Sequence, residues 1–221
     1  MTVAILPMKP PTVGKTRLAG EFDPSFRSEL AEAMFLDVLA ALALSQLIDR
    51  TLVVTADPDC AKAATTYGAA TVDDPGCDGH SSAASLGARE AALDGAERVL
   101  LVPGDCPALD PAEVDSLIGE ADRVAGCLVV PDRHGTGTNA LLICPPLAMA
   151  PSFGPGSHRR HLDLAAGAGV RAESVAVPSL AFDVDTPEDL ESLIEHLRDG
   201  HAAAPRTRSL LARTGRLPAH A

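Results

Sequence analysis

Apolar and polar positions follow two rhythms along this 221-residue chain. Short runs dense in Val, Ile and Leu ("TVAILPM", "RTLVVTAD", "AATVDD", "RVLLVPGD", "GCLVVPD", "NALLIC" and "RAESVAVPSLAFDVD") predict strands. Longer stretches with helical signals separate most of them. "DPSFRSELAEAMFLDVLAALALSQ" opens on Asp-Pro and sets Leu30, Met34, Val38 and Leu42 four residues apart, which makes one apolar face of a long helix. "DPDCAKAATTYG" begins on a capping Asp and stops on Gly, and "SSAASLGAREAALDGA" and "DPAEVDSLIGEADR" follow similar rules. "TPEDLESLIEHLRDG" has Thr as its cap, Pro in the first turn, acids early and Arg late. Strands alternating with helices imply crossover connections and a mostly parallel sheet, hence an α/β domain over residues 1–200. No internal repeat interrupts the pattern. From His201 the chain turns to Ala and Arg ("HAAAPRTRSLLARTGRLPAHA"), which reads as a flexible or loosely docked tail over 201–221. The alternative is a weak helix around Leu210 and Leu211 that docks on the body or on a partner subunit.

Composition narrows the class. The chain is 46% apolar, enough for a substantial core, and no apolar run approaches the roughly 20 residues of a membrane span. "MTVAILPMK" has no basic leader and no long apolar segment, so it reads as a first strand, and a cytoplasmic protein is expected. Five separated cysteines without a Cys-x-x-Cys pair suggest neither a disulfide framework nor a zinc site. A net charge of −12, with no Trp and one Tyr, argues against a nucleic-acid surface. An acidic protein that handles phosphates must concentrate its cations where the phosphates sit. Two of the chain's three lysines, Lys9 and Lys15, fall in one loop together with Arg17.

That loop contains Gly14-Lys15-Thr16 after the first strand, which invites comparison with a phosphate-binding P-loop. The G-x-x-x-x-G-K-[ST] pattern fails. Lys9 stands where the first glycine should be, and Pro10 and Pro11 have no N–H to turn toward a phosphate. What remains is a cationic loop at the carboxyl end of a strand, a suitable place for a triphosphate in an open sheet. In "RVLLVPGDCPAL" a strand runs into Asp105 within a turn stiffened by Pro103 and Pro107, a site suited to a Mg²⁺ ligand. Asp183 and Asp185 flank Val184, so in an extended segment both carboxylates point to the same side, a costly pairing unless a cation sits nearby. Capping of the last helix is the competing use of Asp185. Between these sites, "DRHGTGTNALLI" and "PSFGPGSHRRHLDLA" place Thr138, Gly154 and Ser157 near a helix start, a neutral donor set for a small phosphate or carboxylate. His158, Arg159, Arg160 and His161 are expected to add donors and positive charge.

The blocks "ILPMKPPTVGKTRL", "VLLVPGDCPAL", "TGTNALL", "FGPGSHRRH" and "AFDVDTPEDL", in this order, resemble the phosphoenolpyruvate / 2-phospho-L-lactate guanylyltransferase family of coenzyme F-420 biosynthesis. The resemblance covers about residues 3–197. It implies a Rossmann-like nucleotidyltransferase fold of the GT-A type, a three-layer sandwich around a mostly parallel mixed sheet. Its implied substrates are GTP and a small phospho-acid, phosphoenolpyruvate or 2-phospho-L-lactate, and its implied cofactor is Mg²⁺, with Mn²⁺ as the substitute. The implied catalytic residues are Lys15, Arg17 and Asp105; the metal ligands are Asp105, Asp183 and Asp185; and the phosphoenolpyruvate contacts are Thr138, Gly154 and Ser157. Lys9, Lys15 and Arg17 would meet the nucleotide. One departure stands out: where members commonly carry a Gly-Leu-Asn-Ala-like stretch, this chain reads "CDGHSSAASLGA", with Ser81 or Ser82 left to supply a polar contact, Ser82 being the nucleotide residue expected here. A labile product implies a downstream biosynthetic enzyme as partner. A metal-dependent glycosyltransferase and a non-catalytic nucleotide-binding module are the other readings of the same acids and cations.

Overall fold

The computed structural model describes residues 1–124, 126–200 and 204–218. Among them, β1 (Thr2–Pro7), β2 (Arg50–Thr55), β3 (Ala70–Asp73), β4 (Arg98–Leu101), β5 (Cys127–Pro131), β6 (Thr138–Ile143) and β7 (Ala172–Ser174) form one sheet in the order β3-β2-β1-β4-β6-β5-β7. The first four run parallel, β6 is antiparallel to both β4 and β5, and β7 is parallel to β5. The last expected strand is much shorter than its sequence suggests. Only residues 172–174 pair, because Pro178 opens a 3-10 turn over Pro178–Ala181 and carries the chain off the sheet.

The helices α1 (Pro24–Leu44), α2 (Pro58–Thr66), α3 (His80–Leu93), α4 (Pro111–Val124), α5 (Ser157–Gly167), α6 (Pro187–Arg198) and α7 (Pro205–Arg213) complete the fold. Strand alternation splits the core in two. Ala4, Leu6, Val53, Leu100 and Leu142 point to one face and pack under α1, α2 and α4. Val3, Ile5, Val54, Leu101 and Leu141 point to the other and pack under α3 and α5. The face of α3 that meets the sheet is built of Ala83, Ala84, Gly87, Ala88 and Ala91. At Gly87 a Cβ would lie 2.5 Å from Ile5 Cγ2 and 2.9 Å from Val54 Cγ2, so this close approach requires glycine.

A third cluster joins Phe26, Leu30 and Met34 of α1 to Leu190, Leu193 and Leu197 of α6 and Leu210 and Leu211 of α7. The C-terminal segment, expected as a flexible or loosely docked tail with a docked helix around Leu210 and Leu211 as the alternative, takes the alternative form and packs on the body over residues 204–218; residues 201–203 and 219–221 lie outside the described part. Two forces hold it. Leu211 is fully buried, and Asp37 of α1, itself buried, accepts hydrogen bonds from the free backbone N–H groups of Arg206 (3.1 Å) and Thr207 (2.8 Å) at the start of α7. A carboxylate from one helix thus caps another, and this pairing leaves no local signature in the sequence.

Topology also determines which loops meet. The carboxyl ends of β1, β2, β3 and β4 share one edge of the sheet. Because β6 runs the other way, its first residues, Thr138 and Asn139, arrive at that same edge. The cationic loop, Asp105 and the donor set are brought together for this reason.

Candidate active site

Lys15 stands between two 3-10 turns, Pro11–Val13 and Thr16–Gly20, with a left-handed backbone (φ 55°). The N–H groups of Val13 and Gly14 are already bonded to the carbonyls of Pro10 and Pro11. These two N–H groups are therefore not turned outward as those of a P-loop would be. The Lys15 side chain is only 8% exposed, and its Nζ is bonded to Asp105 Oδ2 and, at 3.1 Å, to Asp185 Oδ1. Burial works against the ammonium charge, but the two carboxylates outweigh it and hold the Lys15 pKa above its ordinary value. Arg17 is exposed and lies 3.6 Å from the other Asp185 oxygen.

The two acidic segments are tied together by their backbones, since Val184 N–H donates to the Asp105 carbonyl at 3.2 Å. Thr186, with Asp189 in a reciprocal capping box, caps α6, which releases Asp185 from that duty. Asp189 Oδ2 accepts from the N–H of Asp185 (3.0 Å) and Thr186 (2.7 Å), while its Oδ1 pairs with Arg133. Asp183 turns elsewhere. It accepts from Asn139 Nδ2 at 2.9 Å, and its pKa rises to about 6, first through burial and then through Asp105, Asp185 and Asp189, against the opposing Asn139 bond. Asp105 and Asp185 therefore converge on one cation, with Asp183 outside that pairing. Among the described residues, no three His, Cys, Asp or Glu side chains group closely enough to hold a metal by themselves. Two hard carboxylates that already share a cation are a donor set that fits Mg²⁺, which usually takes one or two carboxylates plus substrate oxygens. Cys106, adjacent to Asp105, is fully buried and its thiol pKa is pushed well above normal by burial, so it offers no nucleophile.

These groups sit at one end of a cleft of about 740 Å³ lined by residues that include Pro7, Lys9, Lys15, Ala56, Asp74, His80, Ala83 and Asp105. Lys9 is exposed on its wall. Ser82, expected as a nucleotide contact, is exposed and outside this lining. Ser81 is also occupied, its Oγ accepting from Phe153 N–H at 2.8 Å. Of this stretch, Cys77, Gly79, His80 and Ala83 line the cleft, and the sequence reading gives His80 no role of its own. Burial and Lys9 lower its pKa against the pull of Asp105.

Beside the cleft lies the donor set. Ser157 Oγ bonds Thr138 Oγ1 at 3.1 Å, and Thr138 Oγ1 meets His161 Nδ1 at 3.0 Å. Gly154 has φ +112°, a conformation that favours glycine, and its carbonyl accepts from Ser157 N–H at 3.0 Å. His158 N–H donates to the Thr136 carbonyl, so the start of α5 is less open to an anion than its position suggests. The expected positive field is likewise absorbed. Arg159 pairs with Asp163, Arg160 donates to the carbonyls of Ser152, Phe153 and Pro155, and His158 meets Ser174. Phe153 links the two sites, edge-on to His80 (4.6 Å between centroids) and to His161 (5.2 Å). Asn139 also escaped the sequence reading. Its only signal there was an amide at the head of an apolar strand.

A family model described as "Guanylyl transferase CofC like" matches residues 2–210. A phosphoenolpyruvate guanylyltransferase of Conexibacter woesei is 47% identical over 213 residues, 95% of each chain. A 2-phospho-L-lactate guanylyltransferase of Methanothermobacter thermautotrophicus is 35% identical over 205 residues, 91% of this chain and 87% of the relative. Among solved structures, a nucleotidyl transferase from Methanothermobacter superposes with a TM-score of 0.65 at 19% identity, covering 90% of this chain and 99% of that one, a likeness of fold alone. Matches of this identity across nearly the whole length, on a nucleotidyltransferase-type sheet, show that the chain belongs to the CofC-like guanylyl transferase family.

Proposed function

We propose that the protein joins the phosphate of a three-carbon phospho-acid, phosphoenolpyruvate or 2-phospho-L-lactate, to GMP from GTP with release of pyrophosphate, the step that begins the side chain of coenzyme F-420. The observation that carries this reading is the shared hold of Asp105 and Asp185 on Lys15 at the end of a nucleotide-sized cleft. A phosphate oxygen of the acceptor attacks the α-phosphorus of GTP, a new P–O bond forms, and the bond to the β-phosphate oxygen breaks with its electrons leaving on pyrophosphate. The acceptor is already a nucleophile, so no covalent enzyme intermediate is needed, and the protein's task is position and charge.

Lys15, Arg17 and Lys9 are the cations that would balance the triphosphate and the departing pyrophosphate. Asp105 and Asp185, with Asp183 next in line, would hold Mg²⁺, which supplies charge neutralisation and Lewis acidity at the α-phosphate when bound. Thr138, Gly154 and Ser157 would receive the phospho-acid. Phosphoenolpyruvate is the first choice of acceptor because it figures in the name of the 47% identical relative. The product contains a phosphoanhydride, so an enzyme that consumes it is the expected partner. No helix among the described residues is long and apolar enough to cross a membrane.

The test is pyrophosphate release from GTP and Mg²⁺ with phosphoenolpyruvate, 2-phospho-L-lactate or 3-phospho-D-glycerate offered separately. Release with one of the first two, lost on chelation and restored by Mg²⁺, supports the reading. GTP binding without release in the presence of any acceptor overturns it in favour of a nucleotide-binding module.

A further inference from the structure

We infer that His161, through its neutral Nδ1–H tautomer, is a positioning residue that turns a hydroxyl proton of the Thr138–Ser157 pair outward to an anionic oxygen of the acceptor. The inference rests on the reading of the donor set as the acceptor's site.

Donor counting carries the argument. Ser152 N–H donates to His161 Nε2 at 2.8 Å, so that nitrogen must present its lone pair. A neutral imidazole with Nε2 as acceptor carries its proton on Nδ1, which then donates to Thr138 Oγ1 at 3.0 Å. Burial, reinforced by Arg160 and His158, lowers the His161 pKa to about 4, which keeps the ring in this form. The two hydroxyls carry two protons between them, and the 3.1 Å bond joining them uses one. The Nδ1–H, having no lone pair, cannot accept the other. That second proton therefore has no partner within the triad. His161 and Ser157 are buried and Thr138 is the partly exposed member, so the free donor faces outward at Thr138. Thr138 is also next in sequence to Asn139, which holds Asp183. A hydroxyl oriented in this way greets an anion without reorganisation, beside Arg159 and Arg160 that are engaged with Asp163 and with local carbonyls.

The test compares two variants. His161→Asn keeps a donor near the Nδ1 position and loses the acceptor for Ser152; His161→Gln keeps the acceptor near Nε2 and loses the donor. The expected result is a KM for the acceptor raised roughly tenfold in His161→Gln and close to wild type in His161→Asn, with the KM for GTP unchanged in both, since one neutral hydrogen bond supports about a tenfold effect. A merely structural role moves both variants together. Equal acceptor KM values, or a worse value for His161→Asn, overturn the positioning role. In parallel, ¹⁵N shifts of the wild-type imidazole should report the neutral Nδ1–H tautomer at pH 6–7, and the Nε2–H tautomer there overturns the inference without reference to activity. A wild type that releases no pyrophosphate with either acceptor, but shows the Nδ1–H tautomer, fails the functional reading and with it the assignment of the outward proton to an acceptor.

Discussion

Replacing Asp105 by asparagine removes one of the two carboxylates that neutralise a lysine whose side chain is 8% exposed. The variant keeps the shape and one acceptor oxygen, so charge is what changes. Asp185 Oδ1 remains 3.1 Å from the ammonium, worth about 5 kcal/mol at an effective dielectric of about 20 before desolvation is charged against it. Breaking a buried pair outright costs about 3–5 kcal/mol. With Asp185 still in place and the amide oxygen still accepting, the loss of stability should be smaller, about 1–3 kcal/mol, or a few degrees of Tm for a chain of this length. Turnover should fall far more, by about 10²–10³-fold, the usual effect of removing one electrostatic element from a charge-stabilising site. The assay pairs a thermal melt with steady-state pyrophosphate release. A variant that melts near wild type and turns over within about threefold of it would refute the role given to Asp105, and unfolding at 25 °C would refute the claim that Asp185 shares the load.

Further expectations concern pH, packing and docking. His161 is held neutral in the folded chain, its pKa lowered to about 4 by burial and by Arg160 and His158; the unfolded chain protonates first as pH falls, so its stability contribution, at most about 3 kcal/mol, is present above about pH 6.5 and lost toward pH 4. Urea titrations at pH 7 and pH 4.5 should show this loss in wild type and a smaller one in His161→Gln, where Ser152, Thr138 and Phe153 surround a group that does not titrate. Gly87→Ala should destabilise by about 1–3 kcal/mol despite alanine's helix propensity, because the new Cβ meets Ile5 and Val54; a rise in Tm would contradict the packing described. Asp37→Ala should cost about 1–2 kcal/mol by uncapping α7 and should speed proteolysis near residue 204, whereas unchanged cleavage would mean that burial of Leu210 and Leu211 alone holds the helix.

Much of this protein was determined by its sequence alone. Period-two runs and capped, period-3.6 stretches specify six of the seven strands and the first six helices, because these signals are local and each element must bury one face. The cationic loop and the acids Asp105 and Asp185, which meet at Lys15, stand out in the sequence because loops after strands carry chemistry and prolines show where a P-loop cannot form. Tertiary structure decided what depends on partners distant in sequence. It chose which carboxylates share Lys15, 90 and 170 residues apart, and sent Asp183 to Asn139 instead. It spent Arg159 and Arg160 on local acceptors, docked the C-terminal helix through Asp37, and made His161 a buried neutral donor in place of a surface cation. A side chain's hydrogen-bond partner and its charge state follow from burial and from which strands are neighbours, and these arise only when the sheet closes.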